Sequence, residues 1–264
     1  MIRLDQALVA RGLCESRERA QRAILAGRVR VNQRPADKPG LRVRTEDVLT
    51  LEAGEKYVSR GGHKLELALG SFQLNVAGAV AIDLGASTGG FTDCLLQHGA
   101  AKVFAVDVGR GQLAWKLRQD PRVVVMEKTN ARFLRPEDFQ AAEAAGGNSG
   151  ARFVGADLIT IDCSFISLKK ILPAAAPLLK AGGKIVALVK PQFEAGRREA
   201  DKGRGVITDP AVHHRVLEEL REFVSTGAGL LWRNVVESSL LGPAGNKEFF
   251  VLMEKRQTDE VSGR

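Results

Sequence analysis

The sequence predicts two folding units in series: a small α+β unit, then a larger α/β unit built on a doubly wound, seven-stranded, mostly parallel sheet. Three observations lead there. Beyond residue 62, apolar runs of strand length alternate with helical patterns. The first 60 residues hold 13 basic and 8 acidic side chains, a net of +5 out of +8 for the whole chain. Between these regions, residues 53–62 form a connector rich in Gly and polar residues. The expected divisions are therefore 1–52, a linker over 53–62, 63–255, and a polar tail over 256–264.

Composition narrows the function. With 264 residues, 44% hydrophobic and 27% charged, wholesale disorder is excluded. Aromatic residues make up 5%, too few for a nucleic-acid surface built mainly on stacking. No run reaches the roughly 20 apolar residues needed to span a bilayer. The N-terminus enters a charged amphipathic pattern at once, so no signal peptide and no membrane partner are expected. Cys14, Cys94 and Cys163 have no C-x-x-C spacing. That argues against a metal site or a disulfide framework and for a reducing, cytoplasmic setting. The clustered positive charge suits a polyanion, since neutralising phosphates releases counterions; a merely solvated basic surface is the alternative.

In the first unit, Leu4, Ala7, Leu8 and Leu13 read as a short helix and its exit, with Gly12 as breaker. Ser16 caps a second helix that turns Ala20, Ala23 and Ile24 inward and ends at Gly27. Arg19 and Arg22, three apart, share a face of it. Arg28-Val29-Arg30-Val31-Asn32 alternates as a half-buried strand with both arginines outward. Lys38-Pro39-Gly40 is a turn and Val48-Leu49-Thr50-Leu51 a returning strand. Two helices and a hairpin with arginines on one side resemble the small S-four-like (alpha-L) RNA-binding domain. The resemblance runs from residue 2 to about 52, through Arg3-Leu4-Asp5, Ser16-Arg17, Ala20, Ile24, Gly27, Val29, Val31-Asn32 and Lys38-Pro39-Gly40. It implies that Arg17, Arg19, Arg22, Arg28 and Arg30 hold structured RNA by its backbone.

In the second unit the expected strands are Val80–Leu84, Lys102–Val106, Val123–Met126, Leu158–Asp162, Lys184–Lys190, Leu230–Val236 and Phe249–Met253. A loop is expected at Gly146–Gly150. Such sheets bind ligands at the carboxyl ends of their strands. The first strand ends in Asp83, and Leu84-Gly85-Ala86-Ser87-Thr88-Gly89-Gly90-Phe91-Thr92 then opens a helix. Glycines there let backbone approach a ligand closely. The second strand ends in Asp107, 22 residues after Gly85, where an acid can accept from both ribose hydroxyls. Asn130, after the third strand, could frame an adenine ring. These positions fit a dinucleotide or S-adenosylmethionine. Asp83 favours the latter, because a carboxylate would crowd a pyrophosphate but suits an amino group and a sulfonium. Asp83, Gly85, Ser87, Gly89, Asp107 and Asn130 are thus the expected cofactor contacts.

The acceptor end is read from the fourth and fifth strands. Asp162-Cys163-Ser164-Phe165 lacks the prolines that commonly hold an exocyclic amine. Cys163 could attack a pyrimidine, but it has no evident partner base and also reads as a small buried hydrophobe. A hydroxyl acceptor needs a base, and Lys190 closes the fifth strand at the ligand edge. A neighbouring cation such as Lys64 would favour its neutral form. Each lysine alone also reads as a surface snorkeller.

Taken together, these motifs are similar to those of the TlyA family, whose catalytic domain is of the FtsJ-like ribose 2'-O-methyltransferase type. The residues that carry the resemblance are Ser59-Arg60-Gly61-Gly62-His63-Lys64-Leu65, the glycine turn, Asp162-Cys163-Ser164-Phe165-Ile166-Ser167-Leu168 and Val189-Lys190-Pro191-Gln192-Phe193-Glu194. The resemblance implies a Rossmann-like methyltransferase fold, S-adenosylmethionine as cofactor, and a Lys64-Asp162-Lys190-Glu248 tetrad. In it Lys190 deprotonates a ribose hydroxyl, Asp162 orients Lys190, and Lys64 and Glu248 position the hydroxyl. Glu248, just entering a strand, also reads as a surface residue. The implied substrate is a cytidine ribose in ribosomal RNA, free or within subunits. Only Met1-Ile2 precede the Arg3-Leu4-Asp5 start, which leans toward large-subunit RNA, with the small subunit as a second target. Arg197, Arg198, Lys202 and Arg204 form either a solvated excursion or a second phosphate contact. The rivals are an RNA-binding assembly protein without catalysis and a membrane-active haemolysin, which would need an amphipathic helix that does not stand out.

Overall fold

Apolar residues three and four apart build the first helices: Leu4, Ala7 and Leu8 on α1 (Leu4–Ala10), Ala20, Ala23 and Ile24 on α2 (Arg17–Leu25). The computed structural model describes residues 1–52, 54–145, 152–196, 199, 205–227, 229–242 and 244–256. The expected loop at Gly146–Gly150, the stretch holding Arg197, Arg198, Lys202 and Arg204, and the tail past residue 256 lie outside these. The chain divides into two units, Met1–Lys56 and Tyr57–Arg264.

In the first unit Ser16 caps α2 as expected, its Oγ accepting from the Arg19 N–H at 3.2 Å. Two small sheets follow. β1 (Ile2–Arg3) pairs with β4 (Arg42–Val43), while β2 (Val29–Val31) lies between β3 (Arg34–Pro35) and β5 (Leu49–Leu51). The first pair escaped the sequence because two residues show no period. Asp5 is the hub of the unit. Its fully buried carboxylate accepts from Arg3 Nε (3.0 Å), Arg17 Nε (2.9 Å) and Gln21 Nε2 (2.8 Å). A buried carboxylate is tolerated only with such partners.

The second unit begins earlier than the connector reading allowed. Tyr57 is buried with Leu65, Leu69 and Phe91, and α3 (Arg60–Ser71) starts before residue 63. Residues 57–62 therefore belong to the second unit. Helices and strands then alternate: β6 (Val80–Leu84), α4 (Gly90–Gln97), β7 (Lys102–Val106), α5 (Trp115–Arg118), β8 (Val123–Met126), α6 (Pro136–Ala145) and β9 (Ala156–Ile161). After α7 (Leu172–Ala175) come β10 (Leu179–Val189), α8 (Pro191–Glu194), α9 (Pro210–Gly227), β11 (Leu230–Glu237) and β12 (Phe249–Lys255).

The seven strands form one sheet in the order β11-β12-β10-β9-β6-β7-β8. Only β12 runs against its neighbours. The central strands are mainly apolar because helices cover both faces. Chain order reverses at β6, which opens a crevice at the carboxyl ends of β6 and β9. Because β12 is antiparallel, its first residue, Phe249, pairs with Val189, the last of β10. Glu248 and Lys190 thereby arrive at the same edge.

Asp5 yields a stability prediction. Its arginine partners hold the carboxyl well below the usual range, so on acidification the unfolded chain takes up the proton first. The contribution is complete above the ordinary carboxyl pKa of about 4 and fades as pH falls below it. Asp5→Asn should lower the opening free energy of the first unit by about 2 kcal/mol at pH 7. Amide hydrogen exchange of α1 and α2 in the full chain measures this. The deficit should shrink toward pH 3.

Candidate active site

The crevice is a cavity of about 780 Å³. Lys64, Asp162, Lys190 and Glu248 all line it, although four separate parts of the chain supply them. They stand as two ion pairs. Lys64 Nζ lies 2.6 Å from Glu248 Oε2, and the glutamate is 1% exposed. Lys190 Nζ lies 2.6 Å from Asp162 Oδ1 and donates to Ser164 Oγ at 2.9 Å. The surface alternative for Glu248 is thus excluded. Lys64, expected as a cation near Lys190, is itself paired with Glu248.

Local geometry explains the glycine turn. Gly85 has φ +86, and a Cβ on it would come within 2.7 Å of the Asp162 carbonyl oxygen. Strand end and turn can therefore touch only if residue 85 lacks a side chain. Gly85 and Ser87 both line the cavity. Ser87, itself at φ +48, sends its N–H to Asp107 Oδ2 (2.8 Å), while Asp107 Oδ1 takes the Gly109 N–H (2.7 Å). Asp107 thus ties the turn to the loop after β7 and keeps further acceptor capacity on each oxygen.

Four expected cofactor contacts, Asp83, Gly89, Asp107 and Asn130, are not among the residues lining the cavity. Asp83 is 0% exposed, its oxygens accepting from Thr92 Oγ1 (2.7 Å) and Thr160 Oγ1 (3.1 Å). It supports the turn from behind. Burial pushes its carboxyl up to about 7, against the lowering effect of both threonines, and the nearby Asp162 pushes it the same way. Gly89, at φ +94, opens α4, and a Cβ there would strike Leu117 at 2.2 Å, so its role is packing. Asn130 caps the 3-10 turn Ala131–Phe133, its Oδ1 accepting from the Arg132 N–H at 3.1 Å. Cys163 is the small hydrophobe of the two readings. Its thiol is pushed up to about 12 by burial, with Asp162 adding to the effect, and thus stays protonated.

Other wall residues were not singled out as contacts in the sequence. Ser59 and Arg60 lie in a stretch read as linker, and Ser164, Phe165, Phe193 and Asn246 sit inside recognised motifs without an assigned role. Phe165 is 90% exposed at φ +63, its ring 5.1 Å from that of Phe193. Exposed aromatic rings in a cavity wall were the available signal.

The five expected RNA contacts in the first unit differ in availability. Arg17 is tied to Asp5, Arg19 to Glu15, and Arg30 to Glu52. Arg28 has its Nε buried. Arg22 is exposed and has no side-chain partner among the described residues. Among those residues no group of acidic, His and Cys side chains could hold a metal ion.

The FtsJ-like methyltransferase family model matches residues 57–255, and the S4 domain model matches residues 2–49. The chain is 48% identical to YqxC of Bacillus subtilis, covering 94% of this chain and 84% of that protein. It is 47% identical to the Mycobacterium tuberculosis 16S/23S rRNA (cytidine-2'-O)-methyltransferase TlyA, covering 98% of this chain and 91% of that one. A solved structure of a hemolysin-named Streptococcus thermophilus protein matches with a TM-score of 0.69 and 44% identity, covering 98% and 91% of the two chains.

A raised carboxyl makes the folded state bind a proton more tightly than the unfolded state does. Asp83 therefore costs stability as pH rises from about 4 to about 7. Asp83→Asn should remove that cost, so its melting temperature should gain on the wild type across this window. Parallel melting curves against pH would contradict the assignment.

Proposed function

Since the chain belongs to the TlyA family of FtsJ-like methyltransferases with an N-terminal S4 domain, we propose that it methylates the ribose 2'-hydroxyl of a cytidine in ribosomal RNA, using S-adenosylmethionine. The observation that carries this reading is the meeting of both acid–lysine pairs in one cavity at the carboxyl edge of the sheet. A ribosomal substrate would place the protein in the cytoplasm.

The cavity residues fit the donor. Its volume, about 780 Å³, lies within the usual range for ligand sites. The turn at Gly85 and Ser87 offers close-approach backbone, and Asp107, outside the wall but bonded to Ser87 of it, keeps acceptor capacity for ribose hydroxyls. When bound, S-adenosylmethionine supplies an electrophilic methyl carbon that bonds to the 2'-oxygen as its bond to sulfur breaks. Lys190 takes the hydroxyl proton on Nζ, and Asp162 holds that nitrogen in place. Lys64, fixed by Glu248, steadies the oxygen as negative charge grows on it. Phe165, exposed at the mouth, offers a face for the base. Arg22 and its neighbours in the first unit grip RNA backbone.

The rival of an RNA-binding assembly protein without catalysis fares worse. A pure binder has no use for two acid–lysine pairs in a cavity, one of them buried, which are weak contributors to stability. For the membrane-active reading, no helix among the described residues is long and apolar enough to cross a membrane.

Labelled donor transfer to ribosomal RNA tests the proposal. Lys190→Ala should lose at least 100-fold in turnover, on the scale of roughly 10²–10⁴ for a general base, while donor binding stays within about twofold. Retained turnover would refute the assigned base. In filter binding, Arg22→Ala should weaken RNA affinity and reduce the salt slope by about one. Arg30→Ala, whose guanidinium is already paired with Glu52, should do so less.

A further inference from the structure

Ser164 belongs to neither the expected tetrad nor the expected donor contacts, yet its Oγ accepts from Lys190 Nζ at 2.9 Å. We propose that Ser164 is a positioning residue that aims the Lys190 amine at the acceptor hydroxyl. The inference rests on the reading of Lys190 as proton acceptor.

A neutral amine carries two N–H bonds and one lone pair. Ser164 Oγ, at 2.9 Å, takes one N–H, and Asp162 Oδ1, 2.6 Å from the nitrogen as an ion-pair partner, holds a second side of it. The third tetrahedral position, the lone pair, is left for a hydroxyl in the cavity that Lys190 lines. With Asp162 alone the amine could rotate about its last carbon–nitrogen bond and point the lone pair elsewhere. Two partners remove that freedom, and misplaced groups of this kind lose rate without losing binding. When the proton leaves the 2'-oxygen it bonds to Nζ, and the hydrogen bond to Ser164 and the ion pair with Asp162 remain in the resulting ammonium.

A second observation concerns the backbone. Phe165, immediately after Ser164, has φ +63, a left-handed conformation that is unfavourable for a bulky residue. Such strain persists where surrounding contacts hold it. The serine–lysine bond, linking the end of β9 to the end of β10, is one of those contacts.

The test uses the full-length protein, labelled donor and large-subunit ribosomal RNA. Ser164→Ala should lower kcat about tenfold, with donor Kd and RNA KM within twofold of wild type. Ser164→Thr keeps a hydroxyl and should return kcat to within threefold. Wild-type kcat in Ser164→Ala would overturn the inference, as would donor Kd weakening in step with kcat, or a threonine variant as slow as the alanine one. If Lys190→Ala is inactive while Ser164→Ala is not, this inference fails and the proposed function stands. If Lys190→Ala turns over normally, the reading of Lys190 fails and takes this inference with it.

Discussion

A lysine and a glutamate 184 residues apart must meet inside the second unit, or neither can remain there charged. Lys64 projects from α3 and Glu248 immediately precedes β12, yet their charged atoms stand 2.6 Å apart and nearly out of solvent. Removing one partner of such a pair typically costs about 3–5 kcal/mol, because the survivor is left uncompensated. The sheet order serves this meeting. A parallel β12 would place Glu248 at the opposite end of the sheet; the antiparallel strand delivers it beside the end of β10. The Asp162–Lys190 pair needs no such device, because the adjacent strands β9 and β10 run in the same direction and end side by side.

A similar economy governs the glycine turn. Asp83 sits where a ligand-binding carboxylate would be expected from its place at the end of β6, but its oxygens face Thr92 of α4 and Thr160 of β9. The carboxyl stitches together the strand, the helix that follows the turn, and the neighbouring strand. Asp107, one strand over, acts on the turn from its open side through Ser87 and Gly109. The turn is thus clamped from behind and from the side, with its cavity-facing backbone left free. Preorganisation of this kind costs nothing at the moment of reaction.

In the first unit, helical spacing put Arg19 and Arg22 on one helix, while Arg28, expected to point outward, precedes β2 and has its Nε buried. Which guanidinium groups have spare hydrogen-bonding capacity is a different question. Glu52 and Asp5 occupy two of them at sequence distances no local pattern reports, and Glu15 occupies Arg19 four residues on. Asp5 shows this most clearly. In the sequence it is one acid near a helix start, whereas in the fold it ties α1 to α2 through Arg17 and Gln21.

The sequence by itself determined the elements and the inventory. β6, β7 and β8 match the predicted bounds residue for residue, because buried parallel strands are short apolar runs ended by acids and glycines. Asp162, Lys190 and Glu248 each sit next to a strand end and Lys64 within α3, and it was the family resemblance that grouped the four. Only the tertiary structure decided how those ions pair, that Asp83, Gly89 and Asn130 support the fold around the crevice, and that residues 57–62 are wall and helix instead of tether. The reason is physical: periodicity and turn chemistry act over a few neighbouring residues. A buried charge finds its counter-ion through space, along paths set by strand direction and register.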